Sequence, residues 1–131
     1  MGSIYLSDGE WKLMKALWRN GPCTITQLVI LLKVETNWSK HTIITMLGRL
    51  EKKGALAYEE GGKAKLFYPI VKESEVTIDE TKGFLDKVYN GSISLLINTL
   101  VGNQSISKEE LDELHQILQK AEVDQIDRDS N

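Results

Sequence analysis

The 131-residue chain holds one cysteine, two prolines and two histidines, and none of its apolar runs approaches the length of a membrane span. The lone thiol, Cys23, excludes an internal disulfide framework and fits a reducing compartment, so the protein is expected in the cytoplasm. One cysteine and two scattered histidines do not make a metal cluster, and no metal or cofactor is expected. The first residues lack a charged segment followed by an apolar stretch, so neither secretion nor membrane insertion is expected. Catalytic patterns are missing as well. No Ser/His/Asp or Cys/His arrangement stands out, and Gly61-Gly62 lacks the strand-to-helix setting of a phosphate loop, so the chain does not read as an enzyme.

What remains is 41% hydrophobic residues, enough for a packed core in one domain or two small ones. The net charge of −3 by itself argues against nucleic acid. Its distribution argues the other way, because residues 1–73 carry a balance of +4 and residues 74–131 a balance of −7. The basic front is the candidate for phosphate contact.

Within that front, Ser7-Asp8-Gly9-Glu10 has the form of a capping box. It opens a helix with Trp11, Met14, Leu17 and Trp18 on one side, ended by Asn20-Gly21-Pro22. At this spacing the tryptophans read as core and not as a platform for stacked bases. Thr24-Ile25-Thr26-Gln27 is a second box, before a short helix that buries Leu28, Val29 and Leu31 or Leu32 and ends near Lys33-Val34. Cys23, just ahead of it, reads as a small buried hydrophobe in a strand of one or two residues.

A polar turn, Glu35 to Trp38, leads to the stretch around which the chain is organised. Ile43, Met46, Leu47 and Leu50 form one stripe of a third helix, while His41, Thr42, Thr45, Arg49, Lys52 and Lys53 gather opposite, with Glu51 on the flank. Ser39 caps its start and Gly54 its end. Donors and positive charge without acidic neighbours suit a helix laid in a DNA major groove. His41, Thr42 and Thr45, near the helix start, are the candidate base contacts. Ser39, Lys40, Arg49, Lys52, Lys53, Lys63 and Lys65 are the candidate phosphate contacts. Gly48 costs about 1 kcal/mol against alanine in a helix, and either admits a close backbone approach or is neutral.

After Gly54 the period shortens to two. Leu56 and Tyr58 alternate with small or acidic residues, Phe67 alternates with Leu66 and Tyr68, and Glu60-Gly61-Gly62-Lys63 turns between them. Three helices followed by a hairpin with a basic tip make a winged helix-turn-helix domain, assigned to residues 1–72.

Residues 73–123 read as three helices. Val76, Phe84, Leu85 and Val88 share a face of the first, stopped by Tyr89-Asn90-Gly91. The second, Ser92 to about Val101, is almost wholly apolar, and Ser107-Lys108-Glu109-Glu110 boxes the start of the third. So few residues cannot bury such an apolar centre alone. Self-association is therefore expected through Phe84, Val88, Ile93, Leu96, Ile97, Leu100, Leu111, Leu114 and Leu118. A cofactor pocket is the rival reading, but no polar group converges there. His115, beside the stripe of the third helix, reads as structural. Residues 124–131 read as a disordered tail. The fold class is thus mainly α with a small β-hairpin.

These residues resemble a known family. Trp38-Ser39, Thr42-Ile43, Thr45, Arg49-Leu50 and Lys53-Gly54, preceded by Glu10-Trp11, Met14 and Trp18, are similar to the penicillinase, methicillin-resistance and copper-operon repressors, which are bacterial winged-helix regulators. The likeness continues through Tyr68, Phe84 to Gly91, Ser94 to Asn98 and Glu109 to Leu114. It implies a homodimeric transcriptional repressor on a palindromic double-stranded operator, with the C-terminal helices as the dimer interface. In the branch that responds to β-lactam antibiotics, it further implies a membrane sensor protease system and cleavage within the dimerisation domain. The matching bond here is Asn98–Thr99, with Thr99 where that branch has an aromatic residue. The copper branch holds metal through C-terminal cysteines, and no cysteine follows Cys23. Relatives often carry a basic residue where this chain has Ile44, which either packs or meets a thymine methyl. The other functions in play are a small-molecule-responsive regulator and a winged-helix module that binds protein through its acidic helices.

Overall fold

A computed structural model describes residues 3–130 and contains six helices and one antiparallel hairpin. The elements are α1 (Asp8–Asn20), α2 (Ile25–Thr36), α3 (Lys40–Lys53), β1 (Leu56–Gly61), β2 (Ala64–Pro69), α4 (Glu73–Tyr89), α5 (Ile93–Gly102) and α6 (Lys108–Ser130). They fall into two compact units, Met1–Gly83 and Phe84–Asn131. Residues 1–2 of the first and residue 131 of the second lie outside the described residues.

In the first unit the local signals act as the sequence implies. Ser7 and Glu10 form a reciprocal capping box on α1, and Thr24 and Gln27 form one on α2, each satisfying amides the helix leaves free. Ser39 caps α3, and Gly54 ends it at φ 83. α1 packs on α2 and β2, α2 on α3, and α3 on β1. Leu13, Met14, Leu17, Leu28, Ile43, Leu47, Leu50 and Leu56 are fully buried between them.

The hairpin pairs Leu56 with Pro69 and Gly61 with Ala64, leaving Gly62-Lys63 as a two-residue loop. Gly62 supplies the positive φ, 83°, that its first position demands. Cys23 is buried and makes one antiparallel bridge to Phe67, donating to and accepting from its backbone at 3.0 and 2.8 Å. Trp18 donates from Nε1 to the Val71 carbonyl at 3.0 Å and stacks obliquely on Trp11, so both tryptophans serve packing.

Three boundaries differ from the sequence reading. α2 runs on to Thr36, because Asn37 takes the left-handed conformation (φ 54) and donates to the Lys33 carbonyl; Leu32 is buried and Leu31 exposed. The units divide after Gly83 and not after Lys72, because Val76 of α4 belongs to the first unit's core. Residues 124–130, read as a disordered tail, continue α6. No glycine or proline interrupts residues 108–130, and the acids alternate with Lys120 and Arg128, so nothing local stops the helix.

The second unit is built differently. Asn90 and Gly91, at φ 52 and 82, end α4; Ser92 caps α5; Ser107 and Glu110 exchange hydrogen bonds before α6. Among its described residues none is buried. Leu96, Ile97, Leu100 and Leu114 are half-buried, and Phe84, Val88, Ile93, Leu111 and Leu118 are exposed. No helix among the described residues is long and apolar enough to cross a membrane.

Candidate nucleic-acid interface

The register of α3 follows from its stripe. Burying Ile43, Met46, Leu47 and Leu50 turns His41, Thr45, Arg49, Lys52 and Lys53 outward, with Thr42 half-buried. The first turn of α1 seats this helix closely. A Cβ on Gly9 would lie 3.0 Å from the Met46 Cε and 3.3 Å from the Trp38 ring, so the missing side chain lets α1 approach α3.

At the start of α3, the Ser39 hydroxyl accepts from the Thr42 amide at 3.1 Å and shares a second hydrogen bond with the Thr42 hydroxyl. Thr45 donates its hydroxyl proton to the His41 carbonyl at 3.0 Å. Thr45 therefore keeps acceptor lone pairs for an outside partner, while in the Ser39–Thr42 pair either hydroxyl can be the donor. His41 carries an imidazole without an intramolecular partner among the described residues. Lys40 stands exposed beside the free amides of the first turn. Ile44 is half-exposed on the flank, and Gly48 is open, with nothing within 4 Å of an added Cβ.

The cations do not all behave alike. Arg49 and Lys52 are exposed and lack a carboxylate partner among the described residues. Lys53 is committed. Its ammonium forms an ion pair with Glu10 Oε1 and donates to the Tyr5 carbonyl at 3.0 Å. Lys53, expected as a phosphate contact, is thus the one cation of α3 that has a carboxylate partner among the described residues. Lys63 projects at the hairpin tip, while the Lys65 ammonium lies 4.2 Å from the centre of the Tyr58 ring, a cation–π contact on the wing.

Glu10 is the only charged side chain buried among the described residues, with 3% of its surface exposed. Burial pushes its carboxyl upward, but the hydrogen bonds from Lys53 and from the Ser7 amide, with the charge of Lys53, outweigh it. The carboxyl is held below its ordinary value. The capping box already accounted for Glu10 in the sequence, so nothing there signalled a second partner 43 positions away. Burial raises the Cys23 thiol, in keeping with an inert core residue. No group of three metal-ligating side chains occurs among the described residues.

In the second unit the unmet apolar surface extends beyond the expected set to Leu95, Val101, Ile117 and Val123. Ile97, Leu100, Ile106, Leu114 and Ile117 line a shallow groove there, rimmed by Glu110 and Glu113. Asn98 and Thr99 lie exposed inside α5, where the Thr99 hydroxyl donates to the Leu95 carbonyl at 2.9 Å.

The family model described as Penicillinase repressor matches residues 6–120. The penicillinase repressor of Bacillus licheniformis is 34% identical over 115 residues, 88% of this chain and 90% of that protein. The methicillin resistance regulatory protein MecI of Staphylococcus aureus (strain N315) is 30% identical over 115 residues, 88% of this chain and 94% of that protein. Among solved structures, the monomeric form of Bacillus licheniformis BlaI in complex with the blaP half-operator is 36% identical. It aligns with a TM-score of 0.50 over 57% of this chain and 93% of that chain.

Proposed function

The chain belongs to the penicillinase repressor family, and from that premise we propose that it is a cytoplasmic, sequence-specific DNA-binding repressor acting as a homodimer on a palindromic operator. The observation that carries the reading is the outward face of α3, where hydroxyl, imidazole and cationic groups stand together and only Glu51 carries a negative charge. His41, Thr42 and Thr45 read bases; Ser39, Lys40, Arg49, Lys52, Lys63 and Lys65 hold phosphates. A half-operator bound to the BlaI winged domain supports the same partner for this chain.

The second unit supplies the dimer. None of its described residues is buried, and Ile93 is 65% and Leu118 58% exposed in the single chain. A second copy covers Phe84, Val88, Ile93, Leu96, Ile97, Leu100, Leu111, Leu114 and Leu118 by a self-complementary contact. Release follows cleavage of the Asn98–Thr99 bond in α5, under the control of a membrane sensor protease system, which destroys the module that pairs the two winged units.

Footprinting the purified chain on its own upstream DNA tests the first claim, with a dyad-symmetric protected segment expected. Uniform cleavage of that DNA at micromolar protein and low salt would remove the proposal. A chain ending at Asn98 is expected to be monomeric and to lose the footprint; an intact footprint refutes the release step.

A further inference from the structure

Arg49, Lys52 and Lys53 converge with Ser7 and Glu10 on one open cavity of about 400 Å³. Three cations at one mouth would ordinarily act together on a phosphate, yet only two have no partner. The third is held by a carboxylate that is itself anchored. Glu10 accepts from the Ser7 amide at 2.8 Å, which ties it to the start of α1 and leaves it no freedom to follow a departing lysine. Lys53 is tied twice, to Glu10 and to the Tyr5 carbonyl, although 40% of its side chain faces solvent. Next to this pair, Gly9 brings α1 against Trp38 and Met46. The first turn of α1 therefore grips α3 at two places, one apolar and one ionic.

We infer that Glu10 is a positioning residue for DNA recognition: through Lys53 it pins the last turn of α3 to α1 and withholds that ammonium from the DNA backbone. The inference rests on the proposal that α3 binds DNA. Two functions follow from one contact. The pin fixes the angle at which His41, Thr42 and Thr45 are offered to the groove. The withheld charge lowers the part of the affinity that is blind to sequence, because each phosphate neutralised adds about one counterion to the salt dependence. A free Lys53 would strengthen binding to every duplex and so narrow the gap between operator and random DNA.

The test uses the full chain and a mixed-sequence DNA duplex, titrated over a range of salt. Lys52→Gln marks a true phosphate contact and is expected to lower the salt slope by about one. Lys53→Gln is expected to leave that slope at the wild-type value while lowering the melting temperature, since it strands the buried Glu10 carboxylate. Glu10→Gln frees the ammonium and raises the slope by about one, with tighter binding to the mixed duplex. Glu10→Gln combined with Lys53→Gln returns the slope to wild type and recovers part of the lost melting temperature. A slope that falls for Lys53→Gln as it does for Lys52→Gln overturns the inference, as does one unmoved in Glu10→Gln. Amide hydrogen exchange in the free protein reads the pin without DNA, with faster exchange at residues 50–54 expected in Glu10→Gln. Unchanged exchange overturns the pin even where DNA binds; a wild-type chain that ignores DNA, with faster exchange in the variant, removes the DNA proposal and its withholding while the pin stands.

Discussion

Leu47 and Leu118 each sit on the apolar stripe of an amphipathic helix, and they end differently: Leu47 is 2% exposed and Leu118 58%. The stripe on α3 finds α1, α2 and the hairpin waiting for it within the same unit. The stripe on α6 finds too little chain to cover it. Periodicity reveals which face of a helix needs cover, and it is silent on whether the cover is cis or trans. The first unit solves the problem with its own residues, whereas in the second the stripe stays uncovered within the single chain, and under the proposed dimer the cover comes from another copy.

The contrast is sharpest where a side chain is deleted. Leu47→Ala is expected to cost about 2–5 kcal/mol in denaturant unfolding, at any protein concentration. Leu118→Ala is expected to cost stability only where copies associate, so its effect shrinks on dilution. Equal, concentration-independent losses would erase the distinction between the two units. Adding charge attacks the proposed cover directly. Ile93→Glu with Leu118→Glu should leave the first unit folded, shift sedimentation to the monomer and weaken operator binding more than tenfold, or about 1.4 kcal/mol. A dimer that survives both changes would move the interface elsewhere.

Smaller effects probe the first unit's outward face. Gly48→Ala meets open space, so unfolding should show a gain of about 0.5–1 kcal/mol. A loss of DNA affinity in that variant would show that backbone and duplex approach each other at this position. Thr45→Ala should relax sequence preference while leaving the salt slope unchanged, the reverse of Arg49→Gln, which lowers the slope by about one. The smallest effect comes from acid. The folded Glu10 carboxyl is held below its ordinary value, so its contribution is complete above the unfolded pKa and fades as pH falls through the lowered folded one. Unfolding of Glu10→Gln followed from neutral to acid pH should show a shallower decline than wild type.

Much of this was legible in the chain because the signals are local. Capping boxes at Ser7, Thr24 and Ser107, stop signals at Gly54 and Asn90-Gly91, and the hairpin glycines each act within a few residues. The outward face of α3 was readable for the same reason, since four buried positions dictate the rest. What escaped was set by distance or by composition. The Glu10–Lys53 pair spans 43 positions and uses a carboxylate that already had a local explanation. The end of α6 is rich in acids, and that richness resembles disorder until the absence of any glycine or proline is weighed. Val76 carried the right period for α4 but belongs to the first unit, a matter of tertiary partners that no period encodes.

The single rung between Cys23 and Phe67 has a mechanical consequence. It fastens the hairpin near its base to the segment that leads into α2, while the glycine turn with Lys63 lies at the far end of the ribbon. The rung therefore ties the position of the ribbon's base to the entrance of α2, and the tip lysine lies beyond that tie. Proline at position 23 would remove the amide that donates to Phe67 and leave the rung with the one hydrogen bond that the Phe67 amide donates to the position-23 carbonyl.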